Sequence, residues 1–195
     1  MVDTVGPDGN YVGDSNANTV VGSAADNVIS TGGRKDIVHA AGGDDTVDGG
    51  ANADKLYGDD GNDTLLGRGS DDKLWGGAGD DTLDGGGQDD RLYGGDGNDI
   101  IIGGDGNDVL YGDNPADGFD AEGFADTFVF DSSDGSDKVF DFEHGIDTVS
   151  LTSGGTYTLT VKGGDTILQY GDTTVIFYDE ILDSTDVTGA DLLMA

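Results

Sequence analysis

From Gly13 to Val129 the chain places one apolar side chain at a fixed slot in every nine residues. Thirteen consecutive segments carry Val20, Ile29, Val38, Val47, Leu56, Leu65, Leu74, Leu83, Leu92, Ile101, Leu110, Phe119 and Phe128 at their eighth position. An amphipathic helix needs three or four apolar residues per two turns, so this spacing excludes one. It predicts a six-residue turn followed by a three-residue strand, with the central side chain inward and its neighbours outward. Two such units make a coil, and coils stacked ~4.8 Å apart give two parallel sheets around a thin core.

The sixth position explains what else the pattern is for. It reads Asn18, Asn27, then Asp36, Asp45, Asp54, Asp63, Asp72, Asp81, Asp90, Asp99, Asp108, Asp117 and Asp126, while the first position is Gly in ten of the thirteen segments. The whole chain has 195 residues with 41 acidic and 8 basic side chains, a formal charge of −33, and 37 glycines. All but Glu122, Glu143 and Glu180 of the acids are Asp, which with Gly is turn chemistry rather than helix chemistry. Such charge opposes compaction unless something neutralises it. It also argues against nucleic acid or an anionic membrane as partner. No run nears the ~18 apolar residues of a transmembrane helix, and no cysteine is available for a disulfide or thiolate site. The opening "MVDTVGPDGNYVGDSN" carries neither the basic nor the apolar segment of a cleavable export signal.

The segments "GGAGDDTLD" (76–84), "GGDGNDIII" (94–102) and "GGDGNDVLY" (103–111) resemble the nonapeptide G-G-x-G-x-D-x-U-x of the RTX (haemolysin-type) calcium-binding family. The resemblance implies an all-β fold, a right-handed parallel β-roll over 13–129 with two parallel sheets, 18 residues per coil and Ca²⁺ between successive turns. Residues 1–12 are then a lead-in, and 130–195 a small antiparallel β cap with an export signal.

Calcium takes six to eight oxygens, carboxylate and carbonyl alike. Equivalent turns on one edge of the roll lie two nonapeptides apart, so an ion between them draws oxygens from both. One edge carries Asp36, Asp54, Asp72, Asp90, Asp108 and Asp126; the other carries Asp45, Asp63, Asp81, Asp99 and Asp117. The gaps between them allow about six to nine ions. The fourth position is Gly43, Gly61, Gly79 and Gly97 on the second edge, but Arg34, Asn52, Ser70 and Gln88 before Gly106 on the first. If that position needs a positive φ, the first edge is strained, and the Asp45–Asp99 edge is expected to be tighter and more regular. The coils of Asn18 and Asn27 are expected to stack but to bind calcium weakly or not at all. Bound ions would fold outside the cell a chain that stays unfolded at cytosolic calcium.

The outward strand positions of the first edge read His39, Tyr57, Trp75, Tyr93, Tyr111 beside Ile37, Lys55, Lys73, Arg91, Val109. An aromatic row beside cations predicts cross-strand stacking with cation–π support, or else a docking face for a polysaccharide or a second copy. The other face has a Thr row, Thr46, Thr64 and Thr82, too short for an ice-binding plane.

After Val129 the period breaks, although Asp137/Val139 and Asp147/Val149 keep the offset. The alternating segments 156–161, 165–170 and 173–178 predict an antiparallel meander that covers the raw end of the stack. The stretch "ADTFVF…DFEHGIDTVSL…DLLMA" is similar to the ends of RTX exoproteins, which carry an uncleaved type I export signal. The expectation is a secreted, extracellular, calcium-binding structural and export module that meets the type I secretion machinery. Alternatives are an adhesive or polysaccharide-binding module, or the tail of a secreted hydrolase. No H-E-x-x-H or G-x-S-x-G occurs and His39 and His144 stand alone, so no catalysis is expected from these residues.

Overall fold

The computed structural model describes residues 2–6, 9–113, 123–153, 155–178, 180–189 and 191–192. Strands from alternate nonapeptides go to opposite sheets. Among the described residues one sheet has 12 strands, in the order Val2–Thr4, Thr19–Ser23, Ile37–Ala41, Lys55–Asp60, Lys73–Ala78, Arg91–Asp96, Val109–Tyr111, Ser136–Val139, Thr173–Phe177, Asp165–Tyr170, Thr156–Lys162 and Asp191–Leu192. The other has 9, in the order Asn10–Val12, Val28–Ser30, Thr46–Asp48, Thr64–Leu66, Thr82–Gly87, Ile100–Asp105, Thr127–Phe130, Thr148–Leu151 and Val187–Thr188. Through the repeats all pairing is parallel and in register by two units, as in Leu56, Leu74, Leu92 and Leu110 side by side.

The eighth-position residues fill the space between the sheets. Every one from Val20 to Leu110, and Phe128, is at most 1% exposed, whereas Phe119 lies outside the described residues. Each such side chain contributes about 1.5–3 kcal/mol by burial, and a roll has only one per strand. The residues before Gly13 join the stack, since Val2–Thr4 pairs with Thr19–Val21 and Asn10–Val12 with Val28–Ser30.

The expected numbering of coils shifts near residue 113. Ile101 pairs with Phe128 and Leu110 with Val139. The step from Asp99 to Asp126 is 27 residues and that from Asp108 to Asp137 is 29, where earlier rungs are 18 apart. The parallel stack then continues past Val129 through Ser136–Val139 and Thr148–Leu151.

The meander forms as expected, but it extends one sheet instead of closing over both. Thr173–Phe177 pairs parallel with Ser136–Val139, and Asp165–Tyr170 and Thr156–Lys162 follow antiparallel. Gly163 and Gly164 join the last two with φ of 75° and 115°, the two-residue turn that suits strand twist. Here the core widens: Phe142 meets Phe128 at 5.9 Å and Phe177 edge-on at 5.2 Å. No helix of the described residues is long and apolar enough to cross a membrane.

Candidate metal centre

The eight repeat turns from Thr31 to Asp99 each have two residues with left-handed backbone, at the second and fourth positions. At the fourth, Gly43, Gly61, Gly79 and Gly97 have φ between 95° and 135°, and Arg34, Asn52, Ser70 and Gln88 adopt 71–99° without being Gly. Gly106 does not share this conformation. At the second, Gly77, Gly86 and Gly95 have φ of 123°, 97° and 119°, while Ala41, Asp59 and Arg68 are forced to 85°, 73° and 79°. The strain of the non-Gly residues is of order 1–2 kcal/mol each. Sequence reasoning found the fourth position and missed the second.

This turn folds the sixth-position Asp back over the first. The carboxylate of each Asp reaches toward the N-terminus and accepts the backbone amide of the Asp one coil earlier. The amides of Asp36, Asp54 and Asp72 donate to Oδ1 of Asp54, Asp72 and Asp90 at 2.7 Å, and those of Asp45, Asp63 and Asp81 to Oδ1 of Asp63, Asp81 and Asp99 at 2.7 Å. The Asp45–Asp99 edge is therefore not more regular in its carboxylate geometry, contrary to expectation. The buried pleat dictates that spacing, and the strain at the fourth position is absorbed in φ.

The second carboxylate oxygen is the informative one. Oδ2 of Asp36, Asp45, Asp54, Asp63, Asp72, Asp81, Asp90, Asp99 and Asp108 is buried with no hydrogen-bond partner, and these residues are at most 2% exposed. Glycine at the first position makes room for it. A Cβ on Gly58, Gly67, Gly76, Gly85 or Gly94 would lie under 3.0 Å from Oδ2 of Asp63, Asp72, Asp81, Asp90 or Asp99. It would also lie under 3.0 Å from a carbonyl oxygen of the following coil, from Gly76, Gly85, Gly94, Gly103 or Gly112. An unpaired anionic oxygen and a backbone carbonyl from successive coils thus border one spot. Without a counter-ion, burial and then neighbouring carboxylates push Asp90 and Asp99 up to about 8, and burial pushes Asp54, Asp72, Asp81 and Asp108 up to about 7. Among the described residues no three carboxylate or imidazole groups converge, so a cation here would rely on backbone oxygens as well. The hard, all-oxygen donor set suits calcium.

Asp126 changes edge. Its Oδ1 accepts the amide of Asp99 at 2.8 Å, so it continues the second edge and not the first, because of the longer connection before it. Asp117 lies outside the described residues. The edges also go on further than the repeat pattern: Asp137 follows Asp108, and Asp147 follows Asp126. Of the two N-terminal Asn positions, Asn18 has a buried Oδ1 without a partner among the described residues, and Asn27 differs. Asn27 Nδ2 donates to Ala25 O at 2.6 Å and its Oδ1 accepts the Ser23 amide at 2.8 Å, so an amide closes that turn internally.

A second ladder, unseen in the sequence, is longer on the second edge; on the first edge it has the Asn107 amide donating to Asp89 Oδ1 at 3.0 Å. Amides at the fifth position donate to the side chain one coil earlier: Asp44 to Asp26, Asn62 to Asp44, Asp80 to Asn62, Asn98 to Asp80 and Ala125 to Asn98, at 2.7–3.0 Å. Its signal was the unbroken Asp/Asn run at that slot.

On the outer face of the larger sheet His39, Tyr57, Trp75, Tyr93, Tyr111, Phe140 and Tyr178 stack in one column. Their centroids are 4.3–5.5 Å apart and their planes within 14°. The inner rings use both flat faces on each other and offer edges to solvent. Beside them Lys55, Lys73 and Arg91 stand in adjacent register, and Lys138 follows Val109. None of the four makes an ion pair among the described residues.

Parallel coils, turns with two left-handed residues and a buried carboxylate in each inter-coil gap define a metal-binding β-roll. The profile of the RTX calcium-binding nonapeptide repeat matches residues 12–47, 30–65, 57–92, 84–118 and 93–128, and the chain belongs to that family. A search of curated proteins finds no match. Among solved structures the chain is similar to the extracellular lipase LipA from Serratia marcescens, at 16% identity over 94% of this chain and a TM-score of 0.34. It is also similar to the AlgE6R3 subunit of the Azotobacter vinelandii mannuronan C5-epimerase, at 17% identity over 91% of this chain and 80% of that one, with a TM-score of 0.26. The chain spans 41% of the length of the lipase.

Proposed function

We propose that this chain is a secreted, calcium-folded structural module, not itself catalytic, that accompanies type I export and binds about six to nine Ca²⁺. The observation that carries this reading is the run of buried Asp Oδ2 atoms without partners, in a chain of formal charge −33. Extracellular calcium modules have Kd of about 10⁻⁴–10⁻³ M, so each ion at millimolar calcium adds about 0.4–1.4 kcal/mol. Summed over the gaps this rivals the stability of a whole domain. At cytosolic calcium that term vanishes and repulsion remains. Far-ultraviolet dichroism during a calcium titration tests it: the chain should be largely unstructured in chelator and gain β signal cooperatively. A fully formed roll in chelator overturns it.

A second reading, a docking face for an anionic polysaccharide, is favoured by the four cations beside the ring column, none of them in an ion pair among the described residues. Ring edges are electropositive, so both columns suit carboxylates better than neutral sugar faces. Replacing Lys55, Lys73 and Arg91 with Ser should abolish binding of a uronic-acid oligomer while leaving the calcium titration unchanged; equal binding by the variant removes this reading.

A further inference from the structure

The repeat match ends at residue 128, yet the first edge has one more rung. Asp137 is 1% exposed. Its Oδ1 accepts the amide of Asp108 at 3.0 Å, which lays the carboxylate across the gap between the two coils. Oδ2 of Asp137 and Oδ2 of Asp108 are both buried without a partner. The turn that presents Asp137, "DSSDGSD", has Ser132 and Ser133 at its first and second positions and keeps the repeat backbone at the fourth. Gly135 takes the fourth-position φ, 113°, bridges Gly106 in parallel, and is flanked by a 2.6 Å bond from the Gly106 amide to Asp134 O. A buried carboxylate oxygen without a partner, on a group that the neighbouring Asp108 carboxylate repels, is costly unless a cation lies against it.

We propose that the gap between Asp108 and Asp137 holds a further calcium ion, and that this ion fastens the meander to the roll. The same turn grips the first meander strand. Thr173 Oγ1 donates to Asp131 O at 2.6 Å and accepts the Asp134 amide at 2.8 Å. The amides of Asp172 and Thr174 donate to Ser132 O at 2.9 Å and Gly135 O at 2.7 Å. Ordering 131–137 around an ion therefore orders Thr173–Phe177. After that strand the edge offers no further Asp, since Asp137 lies beside Val175.

The inference rests on the calcium reading above, and the experiment separates the two. Calcium stoichiometry and amide hydrogen exchange are measured on the full chain, on Asp137→Asn and on Asp72→Asn, both isosteric changes. Each variant should bind one ion fewer than the wild type. Only Asp137→Asn should speed exchange at Thr173–Phe177, by about tenfold at calcium ten times the site Kd, with Arg91–Asp96 still protected. Wild-type stoichiometry in Asp137→Asn, unchanged exchange at Thr173–Phe177, or equal loss of protection at Arg91–Asp96 overturns the proposal and leaves the calcium reading standing. A wild type that binds no calcium overturns both.

Discussion

The amide of Asp72 donates to Oδ1 of Asp90 at 2.7 Å, and Oδ2 of Asp90 has no hydrogen-bond partner among the described residues. One oxygen of the carboxylate is thus structural, joining adjacent coils, and the other is left for an ion. Substitutions that spare the first and remove the charge of the second test this division.

Asp72→Asn keeps an acceptor for the Asp54 amide and removes a buried charge. In calcium it should destabilise the roll by about 0.4–1.4 kcal/mol, the worth of one site. In chelator it should do the opposite, since an uncompensated buried carboxylate is costly and Asn27 closes its turn with an amide. Urea melts in the two conditions should change in opposite directions; the same direction in both contradicts the assignment.

Gly76→Ala should cost about 1–3 kcal/mol by overpacking, because its Cβ would meet Asp81 Oδ2 and Gly94 O under 3.0 Å. Gly69 has open space around it and no positive φ, so Gly69→Ala should be neutral or stabilising. Denaturant midpoints in calcium that fall equally would show that the crowding at the first position is not what matters.

Ser70 holds φ of 99°. Ser70→Gly relieves a left-handed strain of about 1–2 kcal/mol against an entropic cost of about 0.5–1 kcal/mol. A net gain in melting temperature is expected, and a loss would mean that the Ser side chain has a role of its own.

The metal-free roll should prefer acid. Burial raises Asp54, Asp72, Asp81 and Asp108 from 3.8 to about 7, and Asp90 and Asp99 to about 8. Between those limits the folded state holds more protons than the unfolded chain, so stability is present below about pH 4 and falls as pH rises through 7 to 8. Dichroism in chelator should show most β structure near pH 4 and least near pH 8. Structure that grows with pH would reverse the sign and reject this account.

Tyr93 stacks on Trp75 at 5.5 Å and on Tyr111 at 5.0 Å. Tyr93→Thr interrupts both contacts, each worth about 0.5–1.5 kcal/mol beyond burial. A drop in unfolding free energy with unchanged calcium stoichiometry is expected. No drop would move the ring column from scaffold to recognition.

The repeat spoke clearly where a residue type was needed for one reason. Leu56 through Leu110 can only be interior, and their spacing fixed coil length and sheet number. Asp72 and Asp81 were legible as ligand candidates because a carboxylate recurs beside Gly. Arg68 and Asp59 were not legible as strained, because tertiary stacking overrides local preference at the second position. Counting by nines places Asp126 on the first edge, and only the pairing of Ile101 with Phe128 puts it on the second. Asp137 keeps the repeat offset from Val139, but its rung is recognisable only from the hydrogen bond across the coils.

The 27-residue step from Asp99 to Asp126 has an evolutionary reading. Units of nine can be gained or lost singly, although a coil consumes them in pairs, because both flanks of the roll are built from the same phrase. The step moves Asp126 to the opposite flank, where its carboxylate still takes its place on a rung. Such a gene can lengthen by slippage in small increments and still encode an object that closes.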